Sequence, residues 1–262
     1  MRRRAVLLGG LATIGAAAAD GDFIALELAG GRCLVPVVLD GRPARLLLDT
    51  GAERTIMAAA AVARLGLRRD GWVGTTLRDA TGRLERHANV DVAMARAGGV
   101  RLSQGLPGGG LSLPVSSDDL AGADGLLGGD ILRHFSVDLD FSRARLMLRP
   151  AGDATPGTVR LQTLRGDLLL APVRLDGHVL TALVDTGASV SLLNARGLYR
   201  LGLDAAPSHR FGALQIGALR VPDPILLTLD VAAAGYDLVL GLDVLGRRRF
   251  IVSYQRLVLG FD

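Results

Sequence analysis

Asp49-Thr50-Gly51 and Asp185-Thr186-Gly187 each close an apolar run, and each is followed by alanine. Two carboxylates delivered by matching turns suit chemistry that needs one acid and one base at a single point. Brought to about 3 Å, like charges cannot both ionise, so such a pair holds one proton over a broad pH range. The ionised member can draw a proton from a water lying between the two while the protonated member donates to the carbonyl that this water attacks. The dyad then returns a proton to the leaving nitrogen. That scheme needs no metal and no cofactor. Gly51 and Gly187 allow a tight turn and a close approach of two loops, and the hydroxyls of Thr50 and Thr186 can bond the opposite loop.

The triplets sit in a longer repeat. Residues 36–67 align without a gap on 172–203 with 15 of 32 positions identical, and residues 122–132 align on 235–245 with 6 of 11 identical. Two copies of one structural unit are implied, too few for a solenoid. The offset is 136 residues in the first block and 113 in the second, leaving the first half longer by 23 residues somewhere between Arg68 and Ala121. That stretch holds a candidate hairpin, Trp72 to Leu77 and Leu84 to Val92 around a turn at Asp79 to Gly82, and a glycine-rich loop, Gly105 to Gly110. A hairpin carried by one half only could be a lid over a shared cleft or an ordinary surface insertion.

Those corners need strands to present them. Phe23 to Leu28 and Cys33 to Leu39 read as strands, Asp40-Gly41 as a hairpin turn, and Arg45 to Leu48 as the strand ending at Asp49. The second half repeats this with Leu168 to Leu175, Asp176-Gly177 and Val179 to Val184. Short helices follow at Ala58 to Leu65 and Asn194 to Leu201, closed by Gly66 and Gly202. Later, Leu126-Leu127-Gly128 and Val239-Leu240-Gly241 end apolar strands, and Asp130 and Asp243 stand where they could cap a short helix. Ser136 to Leu148 and Phe250 to Phe261 are strand-like. With 35 glycines, 49% hydrophobic and 4% aromatic residues in 262, the chain suits many short strands and tight turns.

All 30 basic residues are arginine, and Arg2, Arg3 and Arg4 precede an apolar run from Ala5 to Ala19. Charged start, apolar middle and small residues at Ala17 to Ala19 predict a cleaved export signal, with a twin-arginine flavour, and a periplasmic or extracellular product. The run is shorter than the roughly 20 residues a span takes, so no stable membrane span is expected in the mature form. Without the leader the charge is close to neutral, which removes the electrostatic case for nucleic acid. The expected division is a leader at 1–19, lobes at 20–150 and 158–262, and a linker at 151–157. Cys33 is the only cysteine, excluding an internal disulfide, and it reads as a small buried strand residue.

LLLDTGA at Leu46 to Ala52, LVDTGAS at Leu183 to Ser189 and the apolar-apolar-glycine elements ending at Gly128 and Gly241 resemble the aspartic proteases of the retropepsin and pepsin clan. The resemblance covers most of the chain after the leader. It implies an all-β, bilobal acid-protease fold with short helices, two homologous barrel-like lobes, and Asp49 and Asp185 meeting between them under a flap. It also implies a peptide or protein substrate. Ala52 and Ala188 are similar to the retropepsin form, so the chain looks like a retropepsin dimer fused into one polypeptide, and a monomer is expected. The flap tyrosine of pepsins is missing: no tyrosine lies between Thr50 and Tyr199. Trp72 is expected to pack in a core or hinge, and Glu53, aligned with Ser189, to engage Arg54 or solvent.

Other readings are weaker. His87, His134, His178 and His209 have no metal-site spacing, and the Gly105 loop lacks the lysine of a phosphate loop. A glycoside hydrolase also uses two carboxylates, but at about 5 Å or more and without matched turns. A non-catalytic exported module that binds peptides or partners would have no use for a buried, mutually repelling acid pair.

Overall fold

The structure, a computed structural model, describes residues 23–78, 83–104, 106, 108–120, 122–150, 159–229 and 235–262, with the side chains of 70–73 excepted. The leader, the 79–82 turn, Gly105, the 151–157 linker and the Trp72 side chain therefore lie outside the description. What is described is mostly β, with two curled sheets forming two lobes and a third sheet joining them.

Each lobe grows from a hairpin. Arg32–Leu39 pairs antiparallel with Arg42–Leu48, and Leu168–Leu175 with His178–Val184. At the turns, Asp40 and Gly41 have φ of 47° and 80°, and Asp176 and Gly177 of 46° and 87°, the left-handed pair that a two-residue hairpin needs. Both turn aspartates are tied down by their own carboxylates. Asp40 accepts from the Met94 N–H at 2.7 Å and Asp176 from the Ala213 N–H at 2.7 Å.

The strands separate two faces. Cys33, Val35, Val37, Leu46 and Leu48 point into the main core, whereas Leu34 and Leu47 join Ala123 in a satellite cluster on the other face. In the second lobe Leu168, Leu170, Leu183 and Val239 form the matching satellite. Strands with both faces covered read as continuous apolar runs rather than as an alternation. Cys33 is wholly buried, and burial pushes its thiol up to about 12.

Arg42–Leu48 runs parallel to Gly125–Leu127, which pairs antiparallel with Ile56–Ala58; His178–Val184, Leu238–Leu240 and Leu192–Leu193 repeat the arrangement. Here the chain passes through the sheet immediately after each Asp-Thr-Gly corner. A Cβ on Gly128 would fall 2.6 Å from the Arg54 carbonyl carbon, and one on Gly241 2.6 Å from that of Val190. Only glycine permits that crossing. Helices Ala59–Leu65 and Ala195–Leu201 follow and end on Gly66 and Gly202 at φ of 58° and 64°.

The longer first half is explained in two places. Arg69–Arg78, paired with Leu84–Val92, has no counterpart in the second sheet, and the loop between Val100–Arg101 and Leu111–Ser116 is longer than its equivalent.

Two expectations are corrected. The stretch Phe23 to Leu28 is two strands, Ile24–Ala25 and Glu27–Ala29, because it serves two sheets in turn: the first pairs with Arg145–Pro150 and the second with Arg32–Leu39. Ser136 to Leu148 and Phe250 to Phe261 are hairpins rather than single strands, each reversing through a positive-φ residue, Ala144 at 49° and Leu257 at 49°.

These hairpins also pair with each other. Phe135–Asp140 lies antiparallel to Phe250–Ser253, making a six-stranded sheet shared by both lobes. Its buried Asp138 receives Arg249 through Nε at 2.8 Å and Nη2 at 2.7 Å, and Arg149 at 3.2 Å. Arg249→Met is expected to destabilise by up to about 3–5 kcal/mol, because it leaves a buried carboxylate short of its cross-lobe partner. Urea denaturation checks this. Unfolding at wild-type urea concentrations would contradict it.

Candidate active site

The two corners meet where the lobes face each other. Thr50 and Thr186 are both fully buried. The Thr50 hydroxyl donates to the Val184 carbonyl at 2.7 Å and accepts from the Thr186 N–H at 3.1 Å. Reciprocally, the Thr186 hydroxyl donates to the Leu48 carbonyl at 2.8 Å and accepts from the Thr50 N–H at 3.1 Å. Four hydrogen bonds thus bind each loop to the strand that delivers the other aspartate. Buried donors and acceptors have no water to fall back on, which makes this interlock rigid.

Asp49 and Asp185 sit between these loops, half-buried on the floor of a cleft, and their carboxyl groups are close enough to shift one another's titration. Asp49 Oδ1 accepts from the Gly51 N–H at 2.9 Å; Asp185 Oδ1 accepts from Gly187 at 2.8 Å and Ala188 at 3.2 Å. The neighbouring glycines set the spacing. A Cβ on Gly51 would lie 2.3 Å from Asp185 Cγ, and one on Gly187 2.5 Å from Asp49 Cγ.

Burial raises the Asp49 carboxyl well above its usual range, and the Asp185 charge raises it further, against the Gly51 N–H. Burial also raises Asp185, opposed by the Gly187 and Ala188 N–H groups and by the hydrogen bond with Asp49. The pair titrates jointly, so the shared proton belongs to both carboxyls rather than to one.

Gly187→Ala is expected to push the Asp49 carboxylate off this geometry, since its methyl needs the space the carboxyl occupies. Misplacement of about 1 Å can cost two orders of magnitude in rate. Peptide cleavage should therefore fall about a hundredfold with unfolding cooperativity retained, and wild-type rates would contradict the spacing.

Asp130 and Asp243 are not helix caps. The residues at the cap positions of Gly129–Leu132 and Leu242–Leu245 are Gly128 and Gly241, which have no side chain to cap with. Asp130 accepts from the Ile131 N–H of that first turn at 2.9 Å and also from the Thr55 hydroxyl at 2.7 Å, which accepts from the Gly128 N–H at 3.0 Å; Ser191 does the same for Asp243 and Gly241 at 2.7 and 2.9 Å. The aspartates brace the loops behind the dyad. Glu53 does not pair with Arg54 but with Arg165 of the other lobe at 3.4 Å, while Arg54 faces Asp130 at 3.9 Å. Sequence reasoning passed over Thr55 and Ser191, although they are aligned hydroxyls four residues after the paired Thr-Gly motifs. It also missed Tyr254, whose buried hydroxyl is raised by burial and then by the charge of Asp49.

The cleft has a volume of about 630 Å³ and takes its lining from both aspartates, from Thr76, Leu77, Arg78, Glu85 and His87 of the unmatched hairpin, and from an apolar second-lobe wall. His87 Nδ1 lies 2.9 Å from the Val115 carbonyl; a carbonyl only accepts, so this nitrogen carries the hydrogen. Among the described residues no three His, Cys, Asp or Glu side chains are grouped to hold a metal ion, and no helix is long and apolar enough to cross a membrane.

Two lobes joined by a shared sheet, with Asp-Thr-Gly corners interlocked at their interface, define a bilobal aspartic-protease fold. Residues 35–134 match the family model of gag-polyprotein aspartyl proteases, and residues 171–213 match a second model, Aspartyl protease. The aspartic proteinase from Irpex lacteus, a solved structure, superposes with a TM-score of 0.57 at 13% identity, over 91% of this chain and 96% of that one. A search of curated proteins found no match. The two matches fall one on each lobe and make the chain similar to the retropepsin- and pepsin-like aspartic proteases, whose fold it shares.

Proposed function

We propose that this protein is an aspartic endopeptidase that hydrolyses peptide bonds by activating a water between Asp49 and Asp185. The observation that carries this is the closely facing carboxyl pair held by the Thr50–Thr186 interlock. Structural aspartates in a fold gain nothing from mutual repulsion in a cleft, whereas a peptidase needs one proton shared between two of them. In this mechanism the ionised member of the pair takes the proton from water, and the protonated member donates to the carbonyl oxygen. After the tetrahedral intermediate forms, the dyad passes a proton to the amide nitrogen and the carbon–nitrogen bond breaks. Thr50, Gly51, Thr186 and Gly187 support the dyad. The hairpin of Arg69–Arg78 and Leu84–Val92 serves as a flap over the extended substrate.

In the same reading residues 1–19 are an export leader, 20–150 and 158–262 are the lobes, and a monomer acts outside the cytoplasm. Incubating the mature protein with a peptide library across a pH series tests the function. Cleavage is expected at acid pH, declining as rising pH removes the shared proton. No cleavage at any pH would sink the proposal, and the N-terminus of the exported product tests the leader.

A further inference from the structure

The two lobes present unequal walls to the cleft. On the second lobe Leu164, Leu168, Leu183, Leu192, Tyr236 and Val239 line it, with Leu229 beside them. The internal repeat identifies the first-lobe equivalents. Leu183, Leu192 and Val239 align on Leu47, Ile56 and Leu126, apolar in both halves. The other four differ. Tyr236 and Leu168 align on Ala123 and Arg32. Leu164 ends its strand where Ala29 ends the matching one, and Leu229 follows Thr228 as Ser116 follows Val115 in the equivalent parallel pairings. Four large apolar side chains on one lobe correspond to two alanines, a serine and an arginine on the other, whose lining leucines beyond these shared positions are Leu77 and Leu120.

The turn that carries this wall is tied across the lobe interface. Arg165, Gly166 and Asp167 link Leu164 to Leu168. Arg165 pairs with Glu53 at 3.4 Å and Asp167 with Arg133 at 3.1 Å, both across the lobe interface. The turn is seated closely: a Cβ on Gly129 would fall 2.9 Å from Asp167 Cβ. The first-lobe turn is Gly30-Gly31, which has no side chain to reach the other lobe, and it faces Ser189, the residue aligned with Glu53.

We propose that the cleft is one-sided. It selects a bulky apolar side chain on the flank of the scissile bond that meets the second lobe, and not on the other flank. Glu53 and Arg133 act as positioning residues that hold the Leu164–Leu168 wall. This rests on the peptidase reading for its substrate class, but its test does not need turnover.

Two peptides with a reduced, non-cleavable scissile bond, one carrying Leu before and Ser after it and the other the reverse, are titrated calorimetrically into the mature protein. One arrangement is expected to bind at least about tenfold tighter, the discrimination that several methylenes in an apolar pocket supply. The double variant Leu229→Ser, Tyr236→Ala should bring the two within about twofold. Glu53→Gln and Arg133→Gln together should reduce the preference about three- to tenfold, a modest effect because both ion pairs are partly exposed, and leave the weaker arrangement unchanged. Equal binding of the two peptides, no binding of either, or a preference that survives the double variant would overturn the proposal. A preference in binding without cleavage of ordinary peptides would overturn the peptidase reading alone.

Discussion

Asp49→Asn and Asp185→Asn should each lower peptide cleavage by at least about a thousandfold, within the 10²- to 10⁴-fold range of positioned proton transfer. An amide fits the space of a carboxyl group and can keep the contacts with Gly51 or Gly187, so the fold survives. It can neither take a proton from water nor hold the shared one. The same substitutions should raise stability near neutral pH. Both carboxyls are raised in the folded state, chiefly by burial, so their contribution to stability is fully present below the unfolded value of about 3.9 and is lost as pH rises through the folded value. The variants therefore melt with wild type at low pH and above it near pH 7, by about 2–4 °C for each kcal/mol of repulsion relieved. Lower melting of both variants at neutral pH would show that the pair is not strained. Full activity in either would remove it from the mechanism.

Thr186→Val is the second large effect. Valine copies the shape but removes the hydroxyl, leaving the Leu48 carbonyl and the Thr50 N–H buried without their partner. Each orphaned group costs about 1–3 kcal/mol. The expected loss is about 2–6 kcal/mol, or roughly 5–20 °C in melting temperature, with cleavage greatly reduced because the corners lose register. Thr186→Ser should recover most of both. A Thr186→Val protein that melts like wild type would mean that the interlock contributes little.

Much of this was legible from spacing alone. The hairpin turns at Asp40-Gly41 and Asp176-Gly177, the helices closed by Gly66 and Gly202, and the placement of Asp49 and Asp185 at strand ends follow from local chemistry, because each is decided by residues adjacent in the chain. The shared six-stranded sheet was not legible. Val137 and Val252 become cross-strand partners only after two lobes dock, and no pattern within either strand names its partner. Asp130 and Asp243 misled for a related reason: they stand in the first turn of a helix, where capping is the local expectation, but Thr55 and Ser191 reach them from the segments just before Ile56–Ala58 and Leu192–Leu193. Glu53 likewise has Arg54 as its sequence neighbour and finds Arg165 across the interface. Contacts between segments distant in the chain, rather than within elements, are what sequence patterns left unread.

Carbon-13 NMR of aspartate-labelled protein, with Asp49 and Asp185 assigned through their asparagine variants, would follow the carboxyl carbons directly across pH. The account predicts two coupled steps, the upper one well above the ordinary carboxylate range, and collapse to a single step when either residue is replaced. Two independent titrations near the ordinary value of about 4, unaltered in each other's absence, would contradict it.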